Sequence, residues 1–244
     1  MHGTFRKIWA KGGGTFDCYL VAPETEKPVA AIVLASAIHG VDTDMIAIAD
    51  ELAAYGGIVA VPDLFWRSMA GPLPRNDPRA AQRAQPRLEQ IKVGEDDMID
   101  TLRHLGTIPQ FNGQAAVMGF CYGGPYAILG PKRLGYAVGI CCHGSQMLDY
   151  LHELAEVREQ VCFMWGDEDN RAPAEVLQAY RDAAARMDNV EVHIFPGGRH
   201  GYMMRTSPSF DRAAHDFSMR RAREILEGLG SAGRSRPANS RSAE

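Results

Sequence analysis

The sequence predicts a protein of the α/β class, with a central, mostly parallel sheet and helices on both faces. Short apolar runs alternate with longer segments of helical periodicity along the chain. The run Ala30–Ala35 (AAIVLA) is apolar at every position, as expected for a strand buried on both faces. The 244 residues, 45% hydrophobic and 23% charged, have the composition of a globular protein rather than a disordered or coiled-coil chain. We expect a single domain over residues 1–229.

Hydrophobic periodicity identifies the strands and helices in chain order, and proline and glycine mark where they end. Phe16–Ala22 is a strand ended by proline, and Asp42–Tyr55 has the apolar spacing of a helix that Gly56-Gly57 terminates. Further strands are predicted at Ile58–Val61, Ala115–Gly119, Tyr136–Cys141, Val161–Trp165 and Val190–Phe195. Further helices are predicted at Glu89–Leu105, Gly123–Leu134, Pro173–Met187 and Phe210–Leu229.

Two segments lack this periodicity. Residues 66–86 are rich in proline and arginine and form a long irregular excursion, and loops of that length inside a compact domain are usually functional. Gly230–Glu244 contains small and polar residues without an apolar anchor, which predicts a flexible C-terminal tail.

The composition also limits the partners, cofactors and cellular locations that we expect for this protein. The net charge of −4 provides no basic excess for phosphate neutralisation, so we expect no nucleic-acid partner. The five cysteines have neither disulfide nor zinc spacing, and Cys141-Cys142-His143 is better explained as a strand end near the pocket than as a metal cluster. No signal-peptide pattern, membrane-length apolar run or nucleotide-binding motif is present. These features predict a cytoplasmic protein without metal or cofactor.

The strongest local signal is the sequence Gly119-Phe120-Cys121-Tyr122-Gly123, between a predicted strand and a predicted helix. This is the G-x-nucleophile-x-G elbow with cysteine in place of serine. Glycines are needed because the chain turns sharply there, and the following helix favours a thiolate. A packed cysteine in a tight turn would have the same local pattern.

The order of residues downstream favours the catalytic interpretation. In nucleophile-elbow enzymes an acid and then a histidine follow the nucleophile, each in a loop after a strand. Asp167, Glu168 and Asp169 follow one predicted strand, and His200 follows the last one. Asp169 is the preferred acid because it lies at the end of its turn, four residues before Pro173.

Six segments carry a resemblance to a known family: FDCYLVAP, AIVLASAIHGVDTDM, VPDLFWR, MGFCYGG, MWGDEDNRAP and FPGGRHGYMMR, which together span residues 16–205. They resemble the dienelactone hydrolase (carboxymethylenebutenolidase) family of α/β-hydrolases. The resemblance implies an α/β-hydrolase fold and a triad of Cys121, Asp169 and His200. It also implies an oxyanion hole from the backbone N–H groups of Ile38 and Tyr122, and hydrolysis of a small ester or lactone through a thioester.

The chain departs from this family at one position. The family has a glutamate that masks the resting thiol, and Ala37 occupies that position here, next to His39. The family also binds the substrate carboxylate with arginines, for which Arg205 and, in the excursion, Arg79 or Arg83 are the candidates. We therefore expect Arg205, Arg83, Ala37 and His39 to contact substrate. The protein is expected to be a monomer or weak homo-oligomer.

Two alternatives remain at this point. With the same triad and oxyanion hole, the protein could be a general carboxylesterase or thioesterase that has no preference for acidic lactones. A non-catalytic redox sensor could also keep the scaffold, with Cys121 as the oxidised thiol. A sensor has no need of an oriented base, which makes Asp169 and His200 evidence against it.

Overall fold

The computed structural model describes residues 2–232 and contains one eight-stranded sheet with the order β1-β2-β4-β3-β5-β6-β7-β8. The strands are β1 (Thr4–Trp9), β2 (Thr15–Val21), β3 (Val29–Ala35), β4 (Ile58–Pro62), β5 (Phe111–Phe120), β6 (Val138–Cys142), β7 (Gln160–Gly166) and β8 (Val190–Phe195). The helices are α1 (Thr43–Ala53), α2 (Trp66–Met69), α3 (Arg79–Arg83), α4 (Arg87–Leu105), α5 (Tyr126–Leu129), α6 (Leu151–Leu154), α7 (Ala174–Ala184) and α8 (Arg212–Ala232).

The sheet is mostly parallel, as predicted. Strands β3 to β8 pair in parallel, whereas β2 pairs antiparallel with both β1 and β4. All seven predicted strands are present, with bounds that differ by a few residues. The carboxyl ends of the parallel strands therefore meet at one edge, where α/β proteins place their sites.

The sheet separates two hydrophobic cores. Side chains alternate along β3, so Val33 belongs to the core beneath α4, α5 and α7, whereas Leu34 belongs to the core beneath α1 and α8. Both side chains are completely buried. Helices thus cover both faces of the sheet, which confirms the predicted layer architecture.

The structure differs from the sequence-based assignment in three places. Strand β1 was not predicted, because its segment TFRKIW is charged and only Ile8 is buried in this edge strand. Helices α2 and α3 interrupt the excursion, and a 3₁₀ turn, α5 and a π-helical turn replace the single helix predicted after the elbow. Residues 230–232 of the predicted tail continue α8, and residues 233–244 lie outside the described part of the chain.

Within residues 2–232, no helix combines the length and apolar character that crossing a lipid bilayer requires.

Candidate active site

The elbow places Cys121 at the tip of a sharp turn after β5. Its φ of 51° lies in the left-handed region, which non-glycine residues adopt mainly at strained functional positions. A Cβ on Gly119 would lie 2.1 Å from the Gly123 carbonyl oxygen, and one on Gly123 would lie 2.2 Å from the Ala35 carbonyl oxygen. The glycines at both positions are therefore required by close backbone packing around the cysteine.

An aspartate and a histidine meet beside this turn. Asp169 follows β7 and is buried, and both its carboxylate oxygens contact His200 Nδ1, at 2.9 and 3.0 Å. The backbone N–H of Arg171 also donates to Asp169 Oδ1, at 2.8 Å. The carboxylate therefore fixes both the orientation and the tautomer of the imidazole.

The neighbouring acids have other contacts. Asp167 is exposed and accepts a hydrogen bond from the backbone N–H of Gly197 at 2.7 Å. Glu168 is also exposed and pairs with Arg199. Of the three acids considered from the sequence, Asp169 is the one that contacts His200.

The sulfur of Cys121 lies in an electrostatic environment that favours the thiolate. Burial alone would raise the pKa of the thiol, but His200, the Ser145 hydroxyl and the Arg87 charge together hold this pKa below its ordinary value. Burial would lower the pKa of His200, yet Asp169 and Cys121 raise it to about 10. Each group therefore shifts the pKa of the other toward its charged form, and the two titrate as a coupled pair.

The two residues that the resemblance implied for an oxyanion hole, Ile38 and Tyr122, line the same cavity as Cys121. Ile38 lies in the loop after β3, and within residues 2–232 its N–H forms no hydrogen bond. Its carbonyl oxygen accepts a hydrogen bond from Arg83 Nε at 2.8 Å, which fixes the orientation of this loop. Tyr122 belongs to the first turn of a 3₁₀ helix, where N–H groups lack an intrahelical acceptor.

These residues line a cavity of about 250 Å³ at the carboxyl edge of the sheet. Its wall contains Cys121, Tyr122 and His200, together with Ala37, Ile38 and His39 from the loop after β3. Asp169 lies behind His200 rather than in the wall. The structure thus brings together most of the residues singled out in the sequence.

Two predicted substrate-binding residues do not line this cavity. Arg205 pairs with Glu51 at 2.5 Å and approaches His215 Nε2 at 3.5 Å, so it holds the loop after His200 against α1 and α8. Arg83 is buried and donates to the backbone carbonyls of Ile38, Met69 and Gly71. Both predictions are therefore corrected: these arginines bind protein groups.

Three other arginines, Arg75, Arg87 and Arg171, line the cavity instead. Sequence reasoning missed them, although Arg171 lies only two residues after the acid and Arg75 lies in the arginine-rich excursion.

The cavity wall also includes His143, which follows β6 as the interpretation of Cys141-Cys142-His143 indicated. Burial and the charges of His200 and Arg75 hold the pKa of His143 well below its ordinary value, so it is neutral.

One cluster elsewhere has donor types that metal ions use. Cys162, Glu191 and His193 lie close together on β7 and β8. Arg221 Nε donates to Glu191 at 3.0 Å, and burial raises the pKa of the Cys162 thiol, which keeps it protonated. Arg221 already supplies the positive charge that a metal ion would provide, so the cluster does not fit a resident ion.

The parallel sheet and the strained elbow at its carboxyl edge, with an acid and a histidine in the loops after two later strands, define an α/β-hydrolase. Residues 16–229 match the model of the dienelactone hydrolase family, and the chain belongs to this family. It is accordingly a hydrolase that acts on carboxylic esters or lactones.

Individual relatives agree with this assignment. The chain is 30% identical to a carboxymethylenebutenolidase of Pseudomonas sp. (strain P51), over 90% of this chain and 93% of that protein. It is 26% identical to carboxymethylenebutenolidase 1 of Cupriavidus pinatubonensis, over 90% and 94% of the two chains. The crystal structure of a putative dienelactone hydrolase from Klebsiella pneumoniae matches 94% of this chain and 98% of its own, with a TM-score of 0.78 at 14% identity. This last similarity concerns the fold.

Proposed function

We propose that the chain hydrolyses a small anionic ester or lactone through a Cys121–His200–Asp169 triad and a thioester acyl-enzyme. The observation that carries the proposal is the pairing of His200 with the buried Asp169 carboxylate at 2.9 Å, beside a cysteine on a strained elbow. An acid-oriented imidazole next to an activated thiol is the arrangement that nucleophilic acyl transfer requires.

In the first half-reaction the Cys121 thiolate attacks the substrate carbonyl carbon. The resulting oxyanion accepts hydrogen bonds from the N–H groups of Ile38 and Tyr122, each worth about 3 kcal/mol of transition-state stabilisation. The intermediate collapses to a thioester, and the departing alkoxide takes the proton from the His200 imidazolium. In a lactone this alkoxide becomes a hydroxyl group on the acyl chain.

In the second half-reaction the neutral His200 removes a proton from a water molecule, and the hydroxide formed attacks the thioester carbon. Collapse of that intermediate releases the carboxylic acid product and restores the Cys121 thiolate beside the His200 imidazolium. Asp169 keeps Nδ1 protonated throughout, so the other ring nitrogen performs both proton transfers.

The charges of the cavity support an anionic substrate. Arg75, Arg87 and Arg171 line it, and no aspartate or glutamate of residues 2–232 does. Arg171 is exposed, and among the described residues its guanidinium forms neither an ion pair nor a hydrogen bond, so it is available to a substrate carboxylate. A cavity with this charge disfavours cationic acyl groups.

Cys121→Ala tests the nucleophile. We expect turnover of p-nitrophenyl acetate and of an acidic lactone to vanish while the circular dichroism spectrum is unchanged. Cys18→Ala is the matched control, because it removes a buried thiol that is not part of the cavity wall, and this variant should keep its turnover number. Full activity of Cys121→Ala would exclude the triad.

The acid is tested by a second pair of variants. Asp169→Asn should lower kcat by about 10² to 10⁴-fold, because the imidazole loses the carboxylate that orients and charges it. Asp167→Asn, with its contact to the Gly197 N–H, should change kcat less than about twofold, as typical of a surface substitution. Equal losses in the two variants would contradict the assignment of Asp169.

The same substrates separate the alternatives. A general esterase would hydrolyse a neutral ester as efficiently as its carboxylate-bearing analogue, and a redox sensor would hydrolyse neither.

We further propose that the protein acts in the cytoplasm as a monomer or weak homo-oligomer. The five free thiols, four of them buried, support a reducing compartment.

A further inference from the structure

The segment His143–Gln146, which follows β6, lies beside the nucleophile, and His143, Ser145 and Gln146 contribute to the cavity wall. Among residues 2–232, the non-glycine residues with positive φ are Cys121, His143 and Gln146, and all three line the cavity. Backbone strain of this kind persists only where surrounding contacts maintain it. Two neighbouring turns of the cavity wall are therefore held in strained conformations.

The two turns are joined through Ser145. Its backbone N–H donates to the Cys121 carbonyl oxygen at 3.0 Å, and its hydroxyl oxygen lies 3.8 Å from the Cys121 sulfur. Ser145 is 8% exposed, and its hydroxyl has no other hydrogen-bond partner within the described chain. When the sulfur is a thiolate, the hydroxyl is the donor of this bond.

Arg87, at the start of α4, links the same two turns through hydrogen bonds to their backbone. Its Nη2 donates to the carbonyl oxygens of Tyr122 at 3.1 Å and of Ser145 at 2.8 Å. The guanidinium also lies 4.8 Å from the centre of the Tyr122 ring. One cation therefore fixes the carbonyl of the residue after the nucleophile and the carbonyl of the residue whose hydroxyl contacts the sulfur.

We propose that Ser145 and Arg87 are positioning residues that hold the Cys121 thiolate in its reactive orientation, with Ser145 donating a hydrogen bond to the sulfur. Arg87 acts through the backbone carbonyls of Tyr122 and Ser145 and through its charge. The effect is opposite to that of the glutamate at position 37 in the family, because that glutamate masks the resting thiol and these two residues keep the sulfur reactive. The inference rests on the proposed nucleophilic role of Cys121.

The other ionisable groups near the sulfur have fixed roles. His200 carries the imidazolium charge, and Asp169 lies behind it. His143 is neutral because burial lowers its pKa, and Cys141 is neutral because burial raises its pKa. A change in the titration of Cys121 after substitution of Ser145 is therefore attributable to the lost hydroxyl.

The test is the pH profile of Cys121 alkylation by iodoacetamide, with the modified residue identified by mass spectrometry. Ser145→Ala should lower the alkylation rate at about pH 6 by about tenfold, as expected for loss of a hydrogen bond to a charged group, and leave the alkaline plateau within about twofold. Arg87→Gln should change the profile in the same direction. Ser145→Thr, which keeps the hydroxyl, should restore the wild-type profile.

Two controls remove a hydroxyl or a guanidinium elsewhere: Ser68→Ala on α2 and Arg79→Gln on α3. Both should retain the wild-type profile, and urea midpoints should show all variants folded at the assay conditions. An unchanged profile in Ser145→Ala, or an equal shift in Ser68→Ala, overturns the proposal. Hydrolysis that survives in Cys121→Ala would instead overturn the triad, so the two failures are distinguishable.

Discussion

At Cys121, three charged or polar groups from different parts of the chain act on one sulfur atom. His200, Ser145 and Arg87 each favour the thiolate, and together they outweigh the effect of burial, which alone would raise the pKa of the thiol. A glutamate at position 37 would add a carboxylate to a cavity wall that is otherwise cationic. No such carboxylate acts on the sulfur at Ala37, and the lowered pKa of Cys121 means that its thiolate persists to lower pH than that of a free cysteine.

Arg171 is the residue that we expect to select anionic substrates. Arg171→Gln should raise KM for a carboxylate-bearing ester by about five- to tenfold and leave KM for its neutral analogue unchanged, because only the charge-assisted bond to the carboxylate is lost. Initial-rate kinetics on the matched ester pair measure this difference.

Arg205→Gln is the control for Arg171→Gln, since Arg205 pairs with Glu51 outside the cavity wall. It should alter neither KM. A selective loss of the anionic substrate in Arg205→Gln, with Arg171→Gln unaffected, would return the carboxylate site to the arginine expected from the sequence.

At the scale of elements, Asp44 connects three segments that surround the cavity. This buried carboxylate on α1 accepts hydrogen bonds from the Thr206 N–H at 3.1 Å and the Thr206 hydroxyl at 2.5 Å, and it pairs with Arg75. Arg75 belongs to the excursion and Thr206 to the loop after His200. The excursion is therefore attached to the loop that carries His200, the base of the proposed triad.

Asp44→Asn should lower the free energy of unfolding by about 2 kcal/mol at neutral pH, because it weakens several buried, charge-assisted hydrogen bonds. Burial opposes ionisation of Asp44, but its bonds to Thr206 and Arg75 hold its pKa below the ordinary value. The stabilisation is thus complete above the pKa of an unfolded aspartate and is lost as pH falls through the lower, folded pKa.

Urea unfolding of wild type and Asp44→Asn across this pH range is the measurement, and the two should converge at low pH. Asp216→Asn serves as the control, because it removes an exposed carboxylate paired with Arg212 and should not change the midpoint measurably. Divergence of Asp44→Asn from wild type that grows toward low pH would contradict this account.

Local signals explain which elements the sequence could predict. The apolar run of β3 and the glycines around Cys121 follow from short-range sterics, so both were assigned from the sequence. The choice between Arg205 and Arg171 depends on the path of the loop after β8, where Met204 lines the cavity while Arg205 contacts Glu51. A shift of one residue along that loop would place Arg205 instead of Met204 in the cavity wall. No local sequence pattern encodes the position of the loop at this precision.

Two other features also lay beyond local patterns. Strand β1 exposes five of its six residues, so it has none of the apolar periodicity that identifies a strand. Arg87 and Ser145 are 58 positions apart and meet only because α4 packs across the elbow. Contacts of this kind require the tertiary structure.

On the scale of the whole molecule, one sheet serves two cores. Val33 and Leu34 are adjacent on β3 and equally buried, yet they pack against helices on opposite faces. Each core consists of helix side chains packed on one face of this sheet, so disruption of the sheet removes part of both cores. We therefore propose that residues 1–229 unfold as one cooperative domain, and the two residues provide a matched pair that tests it.

Leu34→Ala should reduce the free energy of unfolding by about 2 to 5 kcal/mol, and Val33→Ala by a smaller amount, because each leaves a cavity in a fully buried core. Fluorescence of Trp165, which is buried in the same core as Val33, and far-ultraviolet circular dichroism should report one coincident transition in both variants. Val93→Ala, at an exposed position, should leave the midpoint unchanged. If Leu34→Ala shifts the dichroism transition while the Trp165 transition stays in place, the two faces unfold separately. That result would contradict the proposal, because a single cooperative sheet cannot lose its support on one face and keep its stability on the other.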